Sequence, residues 1–117
     1  MDFVTFEIAR KLKDKGFDWE TSNVYERNNL ACRYEDYPKL TISQVMKWLR
    51  EEKKLFVEIF MYLNHYMWEI YNTDMYNNED GSQKSEGYSG KKYVTYETAA
   101  LAGIEYVLDN LIRKYDF

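Results

Sequence analysis

Two acidic residues, Glu58 and Glu69, have the types and the spacing that most invite chemistry in this 117-residue chain. Each sits within a short stretch of alternating aromatic, β-branched and polar residues, 55–62 and 65–72, and only Leu63 and Asn64 separate the two stretches. Such stretches read as the strands of a hairpin. A two-residue turn then sets Glu58 directly opposite Glu69, where like charges repel. Paired carboxylates are also the machinery of glycoside hydrolysis, but that reaction needs an enclosing pocket that an open sheet does not supply.

Other reactive types are scarce. His65 is the single histidine and Cys32 the single cysteine, which excludes a two-histidine metal motif, a thiolate zinc cluster and an intrachain disulfide. Cys32 with His65 is the one conceivable nucleophile–base pair. The plainer reading makes Cys32 a small buried hydrophobe and His65 a turn residue. The stretch 76–81, YNNEDG, invites comparison with a calcium loop, yet Tyr76 would take the first ligand position and Gly87 the bidentate acid. Gly81 and Gly87 lack the spacing to Lys84, Lys91 and Lys92 that wraps phosphates. The sequence therefore predicts no metal, no cofactor and no catalytic residue, and a protein that is not an enzyme.

Charge narrows the partners. Sixteen Lys and Arg against twenty Asp and Glu leave a net charge of −4, which offers no general attraction for phosphate backbones or anionic lipid. Lys47, Arg50, Lys53 and Lys54 form a basic stripe near Trp48, but Glu51 and Glu52 interrupt it, which disfavours nucleic acid. No apolar run approaches the roughly 18 residues that a membrane span requires, and residues 1–15 interleave charges with apolar side chains. With a lone cysteine, the expected setting is cytoplasmic and away from membranes.

Three helices must position the hairpin. Val4-Thr5-Phe6, Leu40-Thr41-Ile42 and Val94-Thr95-Tyr96 each place a threonine at the start of a helical pattern, as an N-cap. Thr41 with Gln44 forms a capping box, and Leu40 is placed to staple onto Val45. The first helix spans 6–15, burying Ile8, Ala9 and Leu12 before Gly16; Phe17 and Trp19 then fold back on the core. The second spans 42–53 with Ile42, Val45, Met46 and Leu49 on one face. The third spans 96–114, buries Leu101, Ile104, Leu108, Leu111 and Ile112, and pairs Asp109 with Arg113. Ala99, Ala100, Ala102 and Gly103 make its first half thin enough to approach the sheet closely.

Alternation divides the hairpin into two faces. Val57, Ile59 and Met61 share a wholly apolar side with Tyr66, Trp68 and Ile70, expected to lie under the helices. The other side carries Phe56, Glu58, Phe60 and Tyr62 facing His65, Met67, Glu69 and Tyr71. A third strand is expected from 29–34, with Arg33 between the two acids, and Tyr93 and Val94 add a short edge. The stretch 72–92, rich in Gly, Asn, Ser and Asp, reads as a long loop, mobile over about 73–91. The sum is one domain over 1–117 of the α+β class, in the order α-β-α-β-β-α. Its sheet is antiparallel or mixed, with three or four strands and helices mainly on one face.

Three segments, VTFEIARKLKDKGFD, PKLTISQVMKWLREEKKLFVEI and YVTYETAALAGIEYVLDNLI, resemble a group of small proteins encoded by gut Bacteroides genomes and their phages and prophages. The resemblance covers about half the chain and carries no activity, ligand or catalytic residue. It implies a bacterial or phage gene context.

The function these residues favour is a non-enzymatic interaction or accessory protein. It would use Phe56, Glu58, Phe60, Tyr62, His65, Met67, Glu69 and Tyr71 for a protein partner or for self-association, because apolar patches rimmed by charge mark interfaces. The alternative is a small-ligand binding or sequestering protein with walls from Trp68, Tyr66 or Trp48 and the glycine-rich loop as a lid.

Overall fold

Three threonines open the three helices for one local reason. The backbones of Thr5, Thr41 and Thr95 are extended, and their hydroxyls accept from the amides of Ile8, Gln44 and Thr98. Each satisfies one of the N–H groups that a helix start leaves unpaired. The Thr41–Gln44 box closes as expected, and Thr95 with Thr98 closes a second. These positions come from a computed structural model that describes residues 2–19, 24–25, 37–76 and 83–112.

Helix α1 (Phe6–Asp14) buries Ile8, Ala9 and Leu12 and stops at Gly16, whose φ of 89° suits a residue without a Cβ. Phe17 and Trp19 do fold back against the core, and the Trp19 indole N–H donates to Glu52 at 3.2 Å. Helix α2 (Ile42–Lys53) buries Ile42, Val45, Met46, Trp48 and Leu49. Helix α3 (Tyr96–Asn110) ends earlier than its pattern predicts. The chain leaves the helix at Leu111 so that Ile112 enters the core, and the Lys15 ammonium caps the Ile112 carbonyl at 2.7 Å. The expected partner of Asp109, Arg113, lies outside the described residues. Asp109 binds Lys11, which also reaches Glu105, both at 3.0 Å.

A two-residue ladder joins β1 (Val24–Tyr25) to β2 (Tyr37–Pro38). The main sheet is antiparallel, in the order β3 (Leu55–Tyr62), β4 (His65–Tyr76), β5 (Gln83–Tyr88). The class is α+β, but the main sheet follows α2 entirely, so the chain order departs from α-β-α-β-β-α. The third strand of that sheet comes from the stretch that reads as a loop. Its sequence, QKSEGY, has little β propensity, and it holds its place through the ladder that the extended β4 offers it. A bulge at Glu86, between Gly87 opposite Ile70 and Ser85 opposite Tyr71, further hides its period. The strand expected at 29–34, with Arg33, lies outside the described residues.

The hairpin register is the one the alternation requires, from Leu55 opposite Asn72 to Tyr62 opposite His65. Leu63 and Asn64 have φ of 49° and 64°, as a two-residue turn of the mirror-image type demands. Under the helices, Val57, Trp68 and Ile70 join a core that includes Leu12, Leu49, Ile104 and Leu108. Gly103 explains the thin start of α3: a Cβ there would stand 3.1 Å from atoms of both Trp68 and Val57. Met61, expected in the core, is 59 % exposed: it lies on the edge strand β3, whereas the start of α3 reaches its β4 partner, with Tyr96 packed edge-on against Tyr66. Beyond β5, Tyr93 makes a single bridge to Tyr66, while Val94 is exposed and extends no strand.

Candidate functional site

The outer face of the hairpin is laid out by the register. Across the sheet, Glu58, Glu69 and Tyr88 form one row, since each is the Cα partner of the next. Phe60 opposite Met67 forms the row on one side of it, and Phe56 opposite Tyr71 the row on the other. Tyr62 opposite His65 closes the pattern at the turn. All eight residues that the sequence singles out are therefore brought together on one surface.

Their environments differ in ways that matter chemically. Glu58 is exposed, whereas Phe56, Phe60, Met67, Glu69 and Tyr71 are half-buried by their neighbours. The Tyr71 hydroxyl donates to Glu69 at 2.8 Å. That bond, with burial and the negative charge of Glu69 and Glu58 adding to it, pushes the Tyr71 phenol up to about 12. At the rim, the Arg50 guanidinium lies 5.9 Å from the centre of the Phe56 ring, a cation–π contact. Among the described residues, neither acid of the central row has an ion-pair partner within 4.0 Å.

His65 is the first residue of β4, next to the turn and paired with Tyr62. Its Nδ1–H donates to the Leu63 carbonyl at 3.0 Å, which fastens the ring to its own turn. The pairing with Cys32 cannot be drawn, since Cys32 lies outside the described residues, as does most of the stretch resembling a calcium loop. Among the described residues no three His, Cys, Asp or Glu side chains gather as a metal site would need.

Sequence reasoning misses Tyr88, 68 % exposed at the end of the acid row. Its aromatic character was legible, but a polar, glycine-containing stretch gave no reason to place it in the sheet. The reasoning also misses a hollow of about 210 Å³ lined by Asp2, Thr41, Ile42, Ser43, Tyr96 and Glu97. Two helix starts meet there; the capping boxes take the amides of Thr41, Gln44, Thr95 and Thr98, and the Ile42 amide donates to the Asp2 carbonyl. Trp48 and Trp68, candidates for a ligand wall, are core residues at 1 % and 6 % exposure. Neither indole N–H finds a hydrogen-bond partner among the described residues.

Two residues of the basic stripe have partners on α2 itself. Lys47 lies 3.8 Å from Glu51, and the Lys53 ammonium lies 5.5 Å from the Trp48 ring centre. Among the described residues no helix is long and apolar enough to cross a membrane. No protein-family model, no curated protein and no solved structure matches the chain.

Proposed function

We propose that this is a non-enzymatic interaction protein of a gut bacterium or its phage, acting in the cytoplasm and binding a protein partner through the outer face of the β3–β4 hairpin. The observation that carries the reading is the division of labour between the two faces. α3 packs on Val57 and Trp68, so the opposite side, with Phe56, Phe60, Met67 and Tyr71, is not needed to hold that helix. An apolar and aromatic surface that the core does not use is the kind of surface that proteins bind. The bacterial or phage setting rests on the resemblance of the three segments, and the cytoplasmic setting on the single cysteine.

The test is the double variant Phe60→Glu/Tyr71→Glu. It is expected to keep the helical and sheet signature in circular dichroism while losing partner capture. Unchanged oligomeric state and unchanged partners in a folded variant contradict the reading.

A further inference from the structure

The partner that this face admits can be specified further, an inference that rests on the outer-face reading above. We infer that it is a basic protein segment, presenting a lysine or arginine flanked by apolar residues, with the cation seated between Glu58 and Glu69.

The argument begins from the register. Glu58 and Glu69 are Cα partners, so their carboxylates occupy neighbouring positions on one face, where like charges directly opposite each other destabilise the sheet. Among the described residues no lysine or arginine pairs with either acid. The Tyr71 hydroxyl satisfies one oxygen of Glu69 by donating to it, but it brings no positive charge. Arg50 is engaged at the rim against Phe56. Among the described residues, the acid pair thus keeps no positive charge paired to it, in a surface whose flanking rows are aromatic and apolar.

The surroundings fit a cation. Phe60 stands in the row on one side of the acid pair, and Phe56 with Tyr71 in the row on the other. Tyr88 ends the acid row itself. Aromatic faces attract guanidinium and ammonium groups, arginine most often. Apolar residues beside the cation would cover Phe60 and Met67.

The same charges argue against the other occupants. A second copy applied through this face with the two-fold axis at the acid pair would bring both pairs together, which the repulsion disfavours. Nucleic acid and anionic lipid are repelled by the pair and by the net charge of −4, whereas a basic protein is attracted over distance.

The test selects random displayed peptides against the wild-type protein. Binding is then compared with two folded variants, Glu58→Gln/Glu69→Gln, which removes charge but keeps shape, and Phe60→Ser/Met67→Ser. The expected peptides carry lysine or arginine beside apolar residues. They bind the glutamine variant about tenfold or more weakly and weaken in high salt. Peptides that depend on Phe60 and Met67 but bind the glutamine variant undiminished overturn the basic partner and leave the outer-face reading standing. Peptides indifferent to both variants, or no selected peptide, overturn both. A dimer of the wild-type protein that the Phe60→Ser/Met67→Ser variant abolishes and the glutamine variant leaves intact in sedimentation also overturns the basic partner.

Discussion

Glu58 and Glu69 face each other across the β3–β4 ladder as direct Cα partners, with no lysine or arginine paired to either among the described residues. A directly opposed like-charge pair destabilises a sheet by about 0.2–1 kcal/mol. Glu58→Gln removes the repulsion and spares the Tyr71 bond, which ends on Glu69. The free protein should gain stability within about that range in urea unfolding at neutral pH, and the gain should shrink in high salt as screening weakens the repulsion in the wild type.

Tyr71 should be the late tyrosine. Its phenol is raised from an ordinary 10.0 to about 12 by the bond to Glu69, by burial and by the adjoining carboxylate charges. A raised folded-state value means that the native state holds the proton more tightly than the unfolded chain. The contribution to stability is therefore fully present below pH 10.0 and is lost as the pH rises toward about 12. Tyrosinate absorbance should show one slow component among the twelve tyrosines, absent in Tyr71→Phe. Stability of that variant should fall less steeply over the same alkaline range.

The hairpin turn places Leu63, 66 % exposed, at a φ of 49°, a region where a branched side chain is strained. Asn-Gly is the pair this turn geometry favours. Leu63→Asn with Asn64→Gly should stabilise the protein by about 1 kcal/mol, read as a shift in denaturant midpoint at constant slope.

Gly103 sets how closely α3 approaches the sheet. Gly103→Val has to place branches where even a Cβ would sit 3.1 Å from Trp68 and Val57, and overpacking of this kind costs about 1–3 kcal/mol. Gly103→Ala should be milder, because alanine's helix propensity, favourable by about 1 kcal/mol, offsets part of the crowding. Thermal unfolding of the two variants side by side checks the order.

Much of this arrangement is legible in the sequence because its signals are local. Thr41, Gln44 and Leu40 announce a helix start within a few residues, and strict alternation around Leu63 and Asn64 fixes which residues of 55–72 share a face. What escapes is decided by long-range packing. Strand β5 has no local signature and exists because β4 presents an edge to it. The earlier end of α3 follows from burying Ile112, and the exposure of Met61 goes with its place on an edge strand, where α3 covers the β4 partner Tyr66 instead. Tyr88 joins the candidate surface for the same non-local reason, so the eight residues were readable together while the end of their central row was not.

The central claim is that the hairpin gives one face to the core and leaves the other open for binding. In a Cys32→Ser background, Phe60→Cys and Val57→Cys place single thiols on the two faces. Alkylation rates of the free, folded protein should differ by about two orders of magnitude or more, with position 60 reacting readily and position 57 only through opening of the structure. Equal protection at both positions would contradict the account, because the outer face would then be as closed as the core.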